Sequence, residues 1–219
     1  MPFAKPTNEA AIRRVLSAPR SSTYVAATGG DTTKAVDLYG WNARISAALM
    51  LPSHFAEVST RNAVSDALST VYGPQWPWDN TFEQSLPSPN GRPFNPQRDL
   101  RETRRREPTT GKVIAELKFA FWQGMFTARH DVRIWNHQIL TLFPNASGMT
   151  AEQLRRRIYD DLEAIRKLRN RIAHHEPIFS RNLGDDLMRI LELIELRSTP
   201  TADWVFAMEE ASNVLGERP

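Results

Sequence analysis

Residues 166–177 read Arg-Lys-Leu-Arg-Asn-Arg-Ile-Ala-His-His-Glu-Pro, the densest polar run in the chain. Arg166, Arg169 and Arg171 precede His174 and His175, and Pro177 pushes His175 and Glu176 out of helical continuation. One account of the run is structural. Cations in a last helical turn complement the negative end of the helix dipole, and histidines can bond its free carbonyls. Three arginines and two histidines within ten residues exceed what capping requires. The second account is phosphodiester cleavage in RNA without a metal. A histidine titrates near neutral pH and can move the proton of a ribose 2′-hydroxyl or protonate the leaving oxygen. An arginine is permanently charged and can hold the phosphate and its developing charge through two donors. Arg169 and His174 lie about 140° apart around an ideal helix, whereas Arg171 and His175 share a face better. An Arg169–His174 site therefore needs the helix to loosen near Ala173, or two copies to meet across a two-fold axis.

Other chemistries find little support. Gly-rich phosphate loops, a nucleophile-elbow serine and a paired-histidine zinc helix are all missing from the sequence. The chain has no cysteine, which removes disulfides, thiolate zinc sites and thiol nucleophiles. His130 and His137 sit seven apart on an expected helix, two turns from each other, without carboxylates at ligand spacing. Neither a metal nor any other cofactor is expected.

The element that carries the polar run is the clearest in the sequence. Thr150 with Gln153 three residues on has the form of a capping box. Leu154, Ile158, Leu162, Ile165, Leu168 and Ile172 then recur at helical steps. Asp31 caps an expected helix through Val36, Leu38, Ile45 and Leu49 that Pro52 should stop, and Ser53 should start another that ends at Gly73. Further helices are expected over 8–17, 97–106, 111–126, 130–142, 184–197 and 202–215. No stretch alternates with period two, so the expected class is all-α, a bundle. Six prolines (74, 77, 87, 89, 93 and 96) crowd residues 73–96, together with Trp76 and Trp78. Regular helix is not expected there, and a long loop packed on the body is.

The 219 residues favour one domain, and 41% hydrophobic with 24% charged residues is ordinary globular composition. No apolar run can span a bilayer, and Met1-Pro-Phe-Ala-Lys-Pro opens no signal-peptide pattern, so a cytoplasmic protein without membrane attachment is expected. The formal net charge of +3 hides an asymmetry. Over residues 98–181, 17 Lys and Arg face 10 Asp and Glu, whereas over 182–219 only 3 face 8. A basic centre with an acidic tail fits an anionic partner. Arg98, Arg101, Arg104, Arg105 and Arg106 form one basic stretch, and Arg155, Arg156 and Arg157 another. With Arg171, these are candidates for phosphate tracking along RNA. Trp76 and Trp78 are candidates for base stacking or for simple packing.

At Arg169-Asn170-Arg171-Ile172-Ala173-His174 the sequence resembles the HEPN superfamily, whose pattern is an arginine, a polar residue and a histidine shortly after. More narrowly, residues 169–179 resemble the Abi-like family linked to abortive infection. Leu38-Tyr39-Gly40-Trp41-Asn42, Glu57 with Arg61-Asn62-Ala63, Tyr72-Gly73 and Glu116-Leu-Lys-Phe119-Ala-Phe121-Trp122 agree with it, so the likeness covers residues 24–200. The resemblance implies a HEPN-type helical bundle spanning residues 1–219 as a single domain, with the proline-rich loop inserted. It also implies a homodimer with a composite site and metal-independent endoribonuclease activity in phage defence or a toxin–antitoxin pair. An RNA substrate is expected, with an inhibitory small RNA or a protein antitoxin as possible partners. Carried over by position, Arg169 and His174 become the catalytic pair and Asn170 the residue that orients them, with His175 and Glu176 adjacent. Glu57, Arg61 and Asn62 form a second polar set, which is either a structural salt bridge or a means by which Glu57 holds Arg169. A catalytically silent RNA-binding or adaptor module using the same surface is the alternative function. A DNA-binding helical regulator is a third, without helix-turn-helix spacing to support it.

Overall fold

The computed structural model describes residues 5–91 and 94–219. Residues 1–4 at the N-terminus and residues 92–93, including the loop proline Pro93, lie outside the described residues. The described chain is all-α, without a strand. The helices are α1 (Glu9–Leu16), α2 (Ala18–Ala27), α3 (Thr32–Tyr72), α4 (Asn80–Ser85), α5 (Pro96–Arg106) and α6 (Thr110–Glu116). They continue with α7 (Phe119–Gly124), α8 (Asn136–Leu142), α9 (Ala151–Ala173), α10 (Leu183–Arg197), α11 (Thr199–Met208) and α12 (Ala211–Gly216). Among the described residues no helix is long and apolar enough to cross a membrane.

Contrary to the expectation from sequence, Pro52 does not stop a helix. α3 is one helix of 41 residues with Pro52 inside it. A proline in a helix interior removes one backbone bond and costs about 3 kcal/mol in isolation. Tertiary packing overrides that cost. The buried stripe Leu38, Trp41, Ile45, Leu49, Pro52, Ala56, Thr60, Ala63 and Ala67 runs through the proline without losing its helical step. Both halves therefore face one core only if the helix continues. Ser53 does not cap a new helix; its hydroxyl donates to the Leu49 carbonyl at 2.7 Å. Around α3 pack α2, α9, α10 and α12, with α1, α6, α7, α8 and α11 also in contact with it.

Residues 73–96 likewise hold more helix than their prolines predict. Trp76–Trp78 form a 3₁₀ turn, and Asp79 caps α4 by accepting from the Phe82 amide at 2.7 Å. Trp76 is fully buried, donates to Ser65 Oγ at 3.1 Å and packs edge-on against Phe82 and Trp122. It packs and is closed to a base, while Trp78 is half-buried against the core. Elsewhere the expected 111–126 and 202–215 helices each divide in two, at Leu117–Lys118 and at Glu209–Glu210. The 130–142 helix begins as a π-helical turn over Asp131–Trp135, and α2 falls where none was expected.

His130 and His137 do not share a face, because His130 is buried and His137 exposed. Burial pushes the His130 imidazole down to about 4, and Arg129 and Arg133 add to this by repulsion. From about pH 6.5 down to about 4 the unfolded chain thus binds a proton that the native protein does not. Stability should fall as pH falls through that window, by at most about 3 kcal/mol. Thermal melts of His130→Gln should show a flatter pH dependence there than the wild type. Parallel profiles would show that His130 is not the group responsible.

Candidate functional site

α9 begins with the expected capping box, in which Thr150 and Gln153 each accept from the other's backbone amide. Leu154, Ile158, Leu162, Ile165 and Leu168 of α9 are buried in the core, which fixes how the helix is turned. That rotation directs Arg169 to α3, where its Nε lies 3.4 Å from Glu57 Oε2. The Arg169 side chain keeps 39% of its surface exposed against 18% for Glu57. One side of the guanidinium is thus held while the rest stays open to a ligand. Arg166 and Lys167 are engaged elsewhere, both on Glu163, with Gln123 completing the cluster. Burial tends to raise the Glu163 carboxyl, but bonds from Arg166, Gln123 and Lys167 outweigh it and bring it to about 2.

The helix does not loosen at Ala173. The His174 amide still donates to the Asn170 carbonyl at 2.9 Å, and only then does the chain turn. His175 adopts the left-handed conformation, φ 55°, a position that usually calls for glycine. Its amide bonds the Ile172 carbonyl at 2.9 Å and the Glu176 amide bonds the Arg171 carbonyl at 2.8 Å, the two bonds of a Schellman turn. Arg171 closes this turn by donating to the Pro177 carbonyl at 2.8 Å, with Glu176 3.4 Å from its Nε. Two further groups pin the turn from outside: Arg20 of α2 donates to the His175 carbonyl, and Asn42 Oδ1 accepts from the Ile178 amide at 2.8 Å. Asn170, His174, His175 and Glu176 are exposed. Because α9 stays regular, Arg169 and His174 remain about 140° apart and are not brought onto one face of a single chain. Of the second polar set, Glu57 meets Arg169, Asn62 is exposed, and Arg61 has a buried Nε without a partner among the described residues.

The basic stretches divide sharply. Arg155 is buried, 8% exposed, with its Nε 2.7 Å from Asp131 and a bond of 3.0 Å to the Phe126 carbonyl, so it is closed to a phosphate. Arg104 is bound to Glu83 and to the Pro77 carbonyl, where it fastens α5 to the loop. Arg101 is also held by Glu83, at 2.5 Å, though half of it is exposed. Bonds from Arg101, with Arg104, hold the Glu83 carboxyl below its ordinary range despite the opposing effect of burial. Arg98, Arg105, Arg106 and Arg156 are exposed and make no ion pair among the described residues.

Arg20, Tyr24 and Asn42 were not singled out from sequence as site residues, yet they border the turn at His175. Asn42 alone left a signal, as a polar residue on the buried stripe of α3.

Breaking a buried ion pair by removing one partner typically costs about 3–5 kcal/mol. Arg155→Ala should accordingly lower unfolding free energy by about 3 kcal/mol, whereas exposed Arg156→Ala should stay within about 0.5 kcal/mol of wild type. Urea denaturation checks both, and equal effects would contradict the division of the two arginines.

No protein-family model, curated protein or solved structure matches this chain.

Proposed function

We propose that the protein is a metal-independent endoribonuclease of HEPN type, acting as a homodimer in phage defence or as the toxin of a toxin–antitoxin pair. The observation that carries this reading is the half-exposed Arg169 held by Glu57 in the last turns of α9, five residues before an exposed His174 whose ring has no partner among the described residues. In the reaction the 2′-oxygen bonds to the adjacent phosphorus, its proton goes to a base, the phosphorus–5′-oxygen bond breaks, and the 5′-oxygen takes up a proton. The products are a 2′,3′-cyclic phosphate and a 5′-hydroxyl. His174 serves as the proton carrier and Arg169 as the phosphate clamp, with Asn170 beside them. The 140° between the pair favours a site in which Arg169 of one copy works with His174 of the other across a two-fold axis. Strand binding falls to the exposed Arg98, Arg105, Arg106 and Arg156. A silent RNA-binding module would use these same arginines without cutting.

Arg169→Ala and His174→Ala should each reduce RNA cleavage in EDTA by about 100-fold or more, with melting temperature maintained. Undiminished cutting by both overturns the assignment, and RNA binding without any cutting by the wild type favours the silent module. Co-refolding the two variants in equal amounts should restore about a quarter of wild-type activity, because half the dimers then hold one intact composite site. Absence of rescue would place the pair in a single chain. For the strand contacts, Arg98→Ala, Arg105→Ala and Arg106→Ala combined should lower the slope of log binding constant against log salt by about 2.

A further inference from the structure

Beside the turn at His175 lies an open cleft of about 410 Å³ between α2, α3 and the end of α9. That size is within the range of small-molecule sites, about 300–1,000 Å³. Two of its lining groups are buried residues with unused donors. Asn42 is 5% exposed, and since its Oδ1 accepts from the Ile178 amide, its Nδ2 is the atom left over. No acceptor among the described residues takes that nitrogen. Tyr24 is 2% exposed and its hydroxyl likewise has no partner among the described residues. Burial, with Tyr39 adding to it, pushes this phenol up to about 12, so it keeps its proton. Tyr39 supplies a half-buried aromatic wall, its ring 4.9 Å from that of Tyr24. Glu176, half-exposed at the mouth, adds a carboxylate acceptor.

Neither atom is sealed from solvent, so each can exchange a water for a ligand oxygen across the cleft. What these donors take is an acceptor, which a base carbonyl oxygen supplies, and the carboxylate takes an N–H beside it. Uracil and guanine present that pairing, a carbonyl next to a ring N–H. Cytosine and adenine present the reverse, an amino group next to a bare ring nitrogen. An aromatic wall suits any base, since stacking on a ring face is tolerant of sequence.

We propose that this cleft seats a keto base, uracil or guanine, of the RNA strand cut beside it. Asn42 and Tyr24 donate to its carbonyl oxygen, one to each carbonyl of uracil or both to the single carbonyl of guanine, Glu176 accepts from its ring N–H, and Tyr39 covers its face. The inference rests on the ribonuclease reading for the identity of the strand and gives that activity a base preference. It also assigns α2 a place in the site, because Arg20 ties the turn to the same cleft.

The test is calorimetric titration of the full-length protein with the 3′-monophosphates of uridine, guanosine, adenosine and cytidine. The variants are Tyr24→Phe, which keeps the packed ring, and Asn42→Asp, which keeps the acceptor for Ile178 but loses the donor. Uridine or guanosine nucleotide should bind at least about tenfold more tightly than the other two, and each variant should lose about tenfold. Circular dichroism melts establish folding, and should Asn42→Asp not fold, Tyr24→Phe decides alone. Equal binding of all four nucleotides, or a folded Tyr24→Phe that binds as wild type does, overturns the proposal. Cleavage of RNA without base preference, joined to such equal binding, removes the cleft and leaves the ribonuclease. Keto-selective binding by a protein that cuts no RNA keeps the cleft and removes the ribonuclease.

Discussion

The end of α9 is fastened to α3 at two points, and the continuity of α3 through Pro52 is the constraint on which both depend. Asn42 accepts from the Ile178 amide upstream of the proline, and Glu57 meets Arg169 downstream of it. Fifteen residues separate these two anchors, about 22 Å along a straight helix. Two helices hinged at Pro52 would let that spacing vary, and with it the attitude of the turn between Arg169 and Ile178. A single helix makes the spacing a property of the backbone. The buried stripe that crosses the proline thus serves more than the core, since it also determines where Asn42 and Glu57 meet the chain at the end of α9.

Between those anchors the chain adopts a conformation it would not choose by itself. A non-glycine residue in the left-handed region costs about 1 kcal/mol or more. His175 is held there by the two Schellman bonds, by Arg20 on its carbonyl and by Arg171 on the Pro177 carbonyl. Glycine would give the same turn more easily but would leave no imidazole at that point. Over-determined strain of this kind tends to gather where side chains must be presented in a set direction. The two histidines leave the helix end on the capping residue and on the left-handed residue after it, two different backbone conformations on a common, well-anchored turn.

Much of this was legible in the sequence where the signal is local. The cap and stripe of α9 are written within a few residues of each other, so the helix and its buried face followed from spacing alone. The pairing of Glu57 with Arg169 was one of two alternatives, because a carboxylate on a largely apolar helix needs a partner. What escaped depends on contacts distant in sequence. Pro52 carries a strong local signal for a break, and only the register of both halves against one core cancels it. Asp131, not anything near residue 155, separates Arg155 from its neighbour Arg156. Asn42 and Tyr24 gain significance only when the turn at His175 is laid over them.

Contacts distant in sequence also decide what the charge pattern means. Seventeen cations over residues 98–181 suggest a basic belt, but many of them already neutralise carboxylates within the fold. Arg101 and Arg104 share Glu83, Arg155 faces Asp131, and Arg166 and Lys167 share Glu163. Acids of the C-terminal stretch are engaged as well: Asp186 pairs with Arg181, Glu192 with Arg157 and Glu217 with Arg44. They act as structural partners within the fold. A paired arginine contributes a short-range dipole, whereas an unpaired one contributes a field that reaches a Debye length, about 8 Å at physiological salt. Within residues 98–181 the exposed cations without an ion pair among the described residues are Arg98, Arg105 and Arg106 of α5, Arg156 of α9, and Lys112, Arg129 and Arg133, and any attraction for a polyanion rests mainly on these. A strand drawn to them would still have to reach Arg169 and the turn beyond it, and the rigid frame of α3 and α9 sets that distance.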